Sequence, residues 1–142
     1  TPDGSLLLID ESYNANPASM RAALALLANA RPGKNGRRIA VLGDMLELGI
    51  TGPELHADLA GPVDEAGVDV LYAAGPLMAN LWGRIPSAKR GAYGETSAAI
   101  TEAVLGGLRV GDVVMVKGSL GSRMGPLAEA MRQKFPPVRK ES

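Results

Sequence analysis

Five short apolar runs, separated by segments whose apolar residues recur with the helical period, constrain this chain more than any other feature. The runs are Leu6 to Ile9, Ile39 to Leu42, Val70 to Ala73, Lys89 to Tyr93 and Val113 to Val116. Between them, Met20, Ala23, Leu24 and Leu27 mark one helix face, Leu55, Leu59, Val63 and Ala66 a second, and Ile100, Ala103 and Val104 a third. Met124, Leu127, Met131 and Phe135 continue the pattern after the last run. Strands joined through helices cannot be antiparallel hairpin neighbours. The expectation is therefore an α/β, Rossmann-like fold: a mostly parallel sheet with right-handed crossovers and helices on both faces. The chain has 18 glycines but only one Trp, three Tyr and one Phe, so its core must be built from small aliphatic groups.

A length of 142 residues fits one domain. We place it at residues 1–137, with 138–142 as a frayed tail after Pro136-Pro137. Lys plus Arg and Asp plus Glu each number 15, so no net field is available to hold a nucleic acid or an anionic membrane. The longest charge-free stretch, between Asp69 and Arg84, contains Gly75, Pro76 and Gly83 and is too short to span a bilayer. The absence of cysteine excludes disulfides and thiolate chemistry and fits a cytoplasmic location. Thr1-Pro2-Asp3-Gly4-Ser5 reads as a hairpin turn whose first arm is missing, which leads us to expect a piece of a longer protein.

In a parallel sheet the loops after the strands gather at one edge, where open α/β folds bind ligands. The first such loop, Asp10-Glu11-Ser12-Tyr13-Asn14-Ala15-Asn16-Pro17, offers carboxylates and amides and ends in an N-cap residue followed by Pro. The second, Gly43-Asp44-Met45-Leu46-Glu47-Leu48-Gly49, offers Asp44 and Glu47 to an ammonium group, and Thr51-Gly52-Pro53-Glu54 beyond it has the spacing of a capping box. The third, Lys117-Gly118-Ser119-Leu120-Gly121-Ser122-Arg123-Met124, is a plausible cradle for phosphate or carboxylate. Taken residue by residue, each loop also reads as an ordinary strand-to-helix connection. The Gly-x-x-x-x-Gly-Lys-Ser/Thr order of a phosphate loop occurs nowhere in the chain. His56, the only histidine, has no Cys or second His for a metal site, and a surface or capping place is expected for it. Tyr72 and Trp82 are expected as packing residues.

Taken together, the runs Asp10 to Met20, Gly43 to Gly49, and Lys117-Gly118-Ser119 with Arg123-Met124 resemble the Mur ligases over the whole chain. The first two runs are similar to the member that adds D-alanyl-D-alanine to a UDP-N-acetylmuramoyl-tripeptide during peptidoglycan precursor synthesis. The resemblance implies a three-domain, ATP-dependent enzyme working through an acyl phosphate, of which this chain is the C-terminal domain. The N-terminal domain holds the UDP-sugar peptide, and the central domain carries the phosphate loop and most of the contacts to ATP and Mg2+. The C-terminal domain closes over the central one and adds contacts to nucleotide and dipeptide. By motif, Asn14, Asn16, Tyr13 and Asp10 are implied near the nucleotide. Asp44 and Glu47 are implied near the dipeptide amine, and Lys117, Ser119 and Arg123 near its carboxylate or phosphate charge. No catalytic residue and no metal ligand is implied in this domain, and without the phosphate loop it is expected to be inactive alone.

Two rival readings come from other classes. A receiver domain of a response regulator fits Asp10, Glu11 and Lys117, but Ala73-Ala74-Gly75-Pro76 stands where its phospho-acceptor Asp should follow the third strand. A free-standing dinucleotide-binding domain needs Gly-x-Gly-x-x-Gly, of which Gly118-Ser119-Leu120-Gly121 is a broken version.

Overall fold

A computed structural model describes residues 7–11, 15–33 and 35–135. The expected hairpin at the start and the expected tail at the end lie outside the described residues. Five strands form where the apolar runs place them: β1 Leu7–Glu11, β2 Arg38–Gly43, β3 Val70–Ala74, β4 Arg90–Gly94 and β5 Val113–Lys117. They make one sheet of order β1-β5-β2-β3-β4 in which every neighbouring pair is parallel. The three inner strands read as continuous apolar runs because helices cover both of their faces. β4 is polar at its start because it is an edge strand whose first residues are exposed.

The order of the strands positions the site. The chain passes from β1 over β5 to β2, runs outward through β3 and β4, and returns to place β5 between β1 and β2. The loop after β5 therefore lies between those after β1 and β2.

Alternate residues of the strands feed two cores. On one face Leu42, Leu71 and Met115 pack with Met20, Leu24 and Leu27 of α1 (Pro17–Asn29), and with Leu59, Val63 and Leu81. On the other, Val41, Tyr72 and Val116 pack with Ile100 and Val104 of α5 (Ser97–Gly107) and with Leu127 and Met131 of α6 (Met124–Lys134).

The Asn16-Pro17 signal is realised in full. Asn16 Oδ1 accepts from Ser19 N–H at 2.8 Å, and Asn16 N–H donates to Ser19 Oγ at 3.0 Å, closing a capping box. The second capping box, expected at Thr51, does not form. Gly49–Thr51 is already a 3-10 turn that runs straight into α2 (Gly52–Ala57), so Thr51 has helical angles and its hydroxyl donates back to Leu48 C=O at 3.2 Å.

The second helical pattern also divides, into α2 and α3 (Ala60–Glu65). Pro62 has no N–H to continue the ladder at that point. A one-turn helix, α4 (Ala79–Trp82), fills part of the stretch after β3, where no helix is expected from periodicity. Among the described residues no helix is long and apolar enough to cross a membrane.

Candidate functional site

Ser119 joins the three motif loops into one surface. Its hydroxyl accepts from Leu46 N–H at 2.9 Å and donates to Ala15 C=O at 3.3 Å, while its own N–H donates to Asp44 C=O at 3.1 Å. The β2 and β5 loops touch at two glycines: a Cβ on Gly118 would lie 3.2 Å from Gly43 Cα and 2.5 Å from Ser122 Oγ. Only a residue without a side chain lets the backbones approach this closely.

Beside this junction an open cavity of about 550 Å3 is walled by the loops after β2, β3, β4 and β5, a volume in the ordinary range for small-molecule sites. Of the residues implied by the motifs, Asp44 and Arg123 lie on its wall, and Glu47, Lys117 and Ser119 do not. Glu47 is exposed and has a left-handed backbone with φ of 65°. Lys117 is buried at the end of β5, level with Glu11 and Leu42 of its neighbours. Arg123 is exposed, takes a left-handed backbone as the N-cap of α6, and its carbonyl accepts from Ser97 Oγ at 2.7 Å.

On the β1 side, the Asp10 carboxylate pairs with Arg132 of α6, and the Asn16 side chain is occupied by its cap. Tyr13 and Asn14 lie outside the described residues. Among the described residues no three His, Asp or Glu side chains converge as a metal site. With the phosphate loop absent from the sequence as well, the described residues do not assemble a seat for Mg2+ or for a triphosphate.

Asp44 is buried, and its two carboxylate oxygens accept from Leu77 N–H at 3.1 Å and Met78 N–H at 2.9 Å, at the entry to α4. A Cβ on Gly75, whose φ is +117°, would stand 2.2 Å from Asp44 Oδ1, so the carboxylate fits only against glycine. Burial pushes the Asp44 carboxyl above its ordinary value, with the two backbone hydrogen bonds and nearby His56 pulling partly back. A carboxyl raised by folding stabilises the fold while protonated, and that contribution is lost as pH rises from the ordinary value of 3.8 through the folded value. The stability of the wild type should therefore fall relative to Asp44→Asn between pH 4 and pH 7. Urea unfolding of both at the two pH values checks this, and a trend of opposite sign would contradict it.

His56 departs from the surface place expected for it. It is fully buried, and its ring closes the neck of the β2 loop: Nε2 accepts from Met45 N–H at 2.9 Å, and Nδ1–H donates to Gly52 C=O at 2.6 Å. The imidazole sits inward because it gives the buried Met45 N–H its acceptor while its own N–H finds a carbonyl. Tyr72 is buried, and Trp82 is half-buried against Tyr93, with ring centroids 6.0 Å apart, as expected of packing residues.

The motif loops omit part of the cavity wall. Gly75 and Pro76 after β3, and Glu95, Thr96 and Ser97 after β4, also line it. The edge rule for parallel sheets reaches these residues once it is applied to all five strands instead of to the chemically distinctive loops alone. After β3, Ala74-Gly75-Pro76 offers no carboxylate of the kind a receiver domain needs.

Residues 2–120 match the family described as Mur ligase, glutamate ligase domain. The UDP-N-acetylmuramoyl-tripeptide--D-alanyl-D-alanine ligase of Treponema pallidum is 33% identical over 132 residues, covering 91% of this chain and 28% of its own length. The ligase of the same name from Mycobacterium tuberculosis H37Rv is 33% identical over 92% of this chain and 29% of its own. The chain thus spans under a third of the length of the relatives it matches.

Among solved structures, MurF of Acinetobacter baumannii superposes with a TM-score of 0.78 at 28% identity, over 94% of this chain and 29% of that one. MurF ligase of Thermotoga maritima, solved with ADP, gives 0.74 at 25% identity over 94% and 30%. With a matching family over most of its length and a sheet of the same architecture, the chain belongs to the Mur ligase family, as its C-terminal glutamate ligase domain.

Proposed function

We propose that this domain is the closing part of an ATP-dependent, cytoplasmic ligase that joins D-alanyl-D-alanine to UDP-N-acetylmuramoyl-tripeptide in peptidoglycan precursor synthesis. The observation that carries the reading is the Ser119 junction. It gathers the three loops bearing the family-like motifs onto one edge, beside a cavity with Arg123 on its wall. The names of the relatives that match along the chain support the same reaction.

In this reading ATP activates the tripeptide carboxylate on the other domains, and the residues here bind and orient the incoming dipeptide and exclude water as the domains close. The segment from Asp10 to Asn16 faces the nucleotide. Arg123, with a guanidinium suited to bidentate contact, takes the dipeptide carboxylate. Ser119 holds the loops that carry it, and Lys117 stands at the end of the strand from which the last of them leaves.

The test is steady-state ligation by the whole enzyme carrying this domain, following phosphate release that depends on both peptide substrates. Arg123→Ala should raise the dipeptide KM by about 10- to 100-fold, a loss of about 1.5 to 3 kcal/mol, and leave the KM for ATP unchanged. An unchanged dipeptide KM would remove Arg123 from the site, and no dipeptide-dependent turnover by the wild type would overturn the reading itself.

A further inference from the structure

We propose that Glu95, in the loop between β4 and α5, receives the ammonium end of the incoming dipeptide and faces Arg123, which holds the carboxylate end; this rests on the ligase reading above. Among the described residues, three carboxylate or guanidinium side chains line the cavity: Asp44, Glu95 and Arg123. Asp44 is already committed, since each of its oxygens accepts a backbone N–H, and it is buried. Glu47, the other acid of the β2 loop, is not on the wall. Glu95 is exposed, and neither it nor Arg123 makes an ion pair or side-chain hydrogen bond among the described residues. The wall therefore presents one uncommitted anion and one uncommitted cation.

The placement of the two is set by backbone. Arg123 C=O accepts from Ser97 Oγ at 2.7 Å, two residues beyond Glu95, so the segments carrying the opposite charges are fastened to each other. Glu95 lines the cavity two residues beyond Tyr93. The Tyr93 hydroxyl donates to Gly75 C=O at 2.9 Å on the wall, and the phenol is held above its ordinary value by burial first, then by the charges of Glu95 and Asp44.

A ligand with a single charge leaves one of the two wall groups unpaired when the site closes and dries, whereas a zwitterion satisfies both. An unmodified dipeptide is such a ligand, with ends about 7 Å apart when extended. Glu95 acts in binding, before any bond changes, and its partner charge is gone once the amine has become an amide. The contact thus favours substrate over product.

The experiment uses the whole ligase with the free dipeptide and two blocked forms as competitors, the N-acetyl dipeptide without the ammonium and the dipeptide amide without the carboxylate. Glu95→Gln should raise the dipeptide KM by about 10- to 100-fold while leaving the KM values for ATP and the UDP-sugar peptide unchanged. It should also abolish the preference for the free dipeptide over the N-acetyl form and keep the preference over the amide. Arg123→Ala should do the reverse, and Glu95→Asp should recover part of the affinity. A Glu95→Gln enzyme with unaltered dipeptide KM, or one that loses both preferences equally, overturns the assignment while the wild-type turnover keeps the ligase reading. Wild-type enzyme that fails to use the dipeptide overturns the ligase reading and this assignment with it.

Discussion

Replacing Asp112 with alanine should cost about 3 to 5 kcal/mol of folding stability, the range for breaking a buried, hydrogen-bonded ion pair from one side. Asp112 is fully buried at the end of the sheet opposite the cavity. Its Oδ1 accepts from Arg37 N–H at 3.0 Å and Arg37 Nε at 3.2 Å; its Oδ2 accepts from Arg37 Nη2 at 2.8 Å and Arg109 N–H at 2.8 Å. Arg37 Nη2 also donates to Gly107 C=O at 2.7 Å, so one carboxylate fixes the entries of β2 and β5 and the end of α5. The hydrogen bond to Asp112 raises the Arg37 guanidinium above its ordinary value, with desolvation opposing.

The alanine variant leaves a partly buried cation without its counter-charge and two backbone N–H groups without partners. Against a total of about 5 to 15 kcal/mol, the loss should lower the melting temperature by roughly 10 to 17 °C. Arg132→Ala breaks a more exposed pair with Asp10 and should cost under about 1 kcal/mol. Thermal and urea unfolding of the three proteins checks the contrast, and a cost at Asp112 as small as that at Arg132 would show that the cluster does not fasten the sheet.

This contrast explains which features were legible in the sequence. Strand positions and most of the helix faces were, because apolar spacing reports burial locally: the observed strands agree with the apolar runs to within one or two residues at each end. Ala103, expected on the buried face of α5, is exposed because that face is carried by Ser97, Ile100 and Val104. The Asn16-Pro17-Ala18-Ser19 start was legible for the same reason, since all its partners lie within three residues. The Thr51 signal had the right spacing but depended on an extended backbone at Thr51, which the preceding 3-10 turn removes.

Strand order was not legible, because the insertion of β5 between β1 and β2 is decided by packing on both faces at once. The site followed the same division. Motif loops showed which segments meet, but not which side chains are spent on structure. Asp44 and Ser119 have the residue types of ligand groups, yet they bond backbone from other loops, at separations of 33 and 73 residues. Glu95 has no distinctive neighbours in sequence and becomes a candidate only when the cavity wall is seen.

The β2 loop gives the second large effect. His56→Ala should cost about 3 to 5 kcal/mol, combining the orphaned Met45 N–H at about 1 to 3 kcal/mol with the cavity left by the ring. The imidazole spans from Met45 N–H to Gly52 C=O, so it fixes both ends of the segment that carries Leu46, Glu47 and Ile50. That segment has few other restraints. Ile50 is 98% exposed, Glu47 and Gly49 have left-handed backbones, and the Ser119 hydroxyl bond to Leu46 N–H holds it on the far side.

Removing the ring should therefore loosen residues 45–52 more than the domain as a whole. Amide hydrogen exchange should accelerate more in that segment, relative to wild type, than in β5, whose residues are buried between two neighbours. His56→Gln, whose amide keeps a carbonyl acceptor and an N–H donor group, should recover part of the loss. If exchange accelerates equally everywhere, His56 contributes only to global packing. If residues 45–52 are unaffected, the loop is held by Ser119 and the backbone alone, and the buried ring does not set its shape.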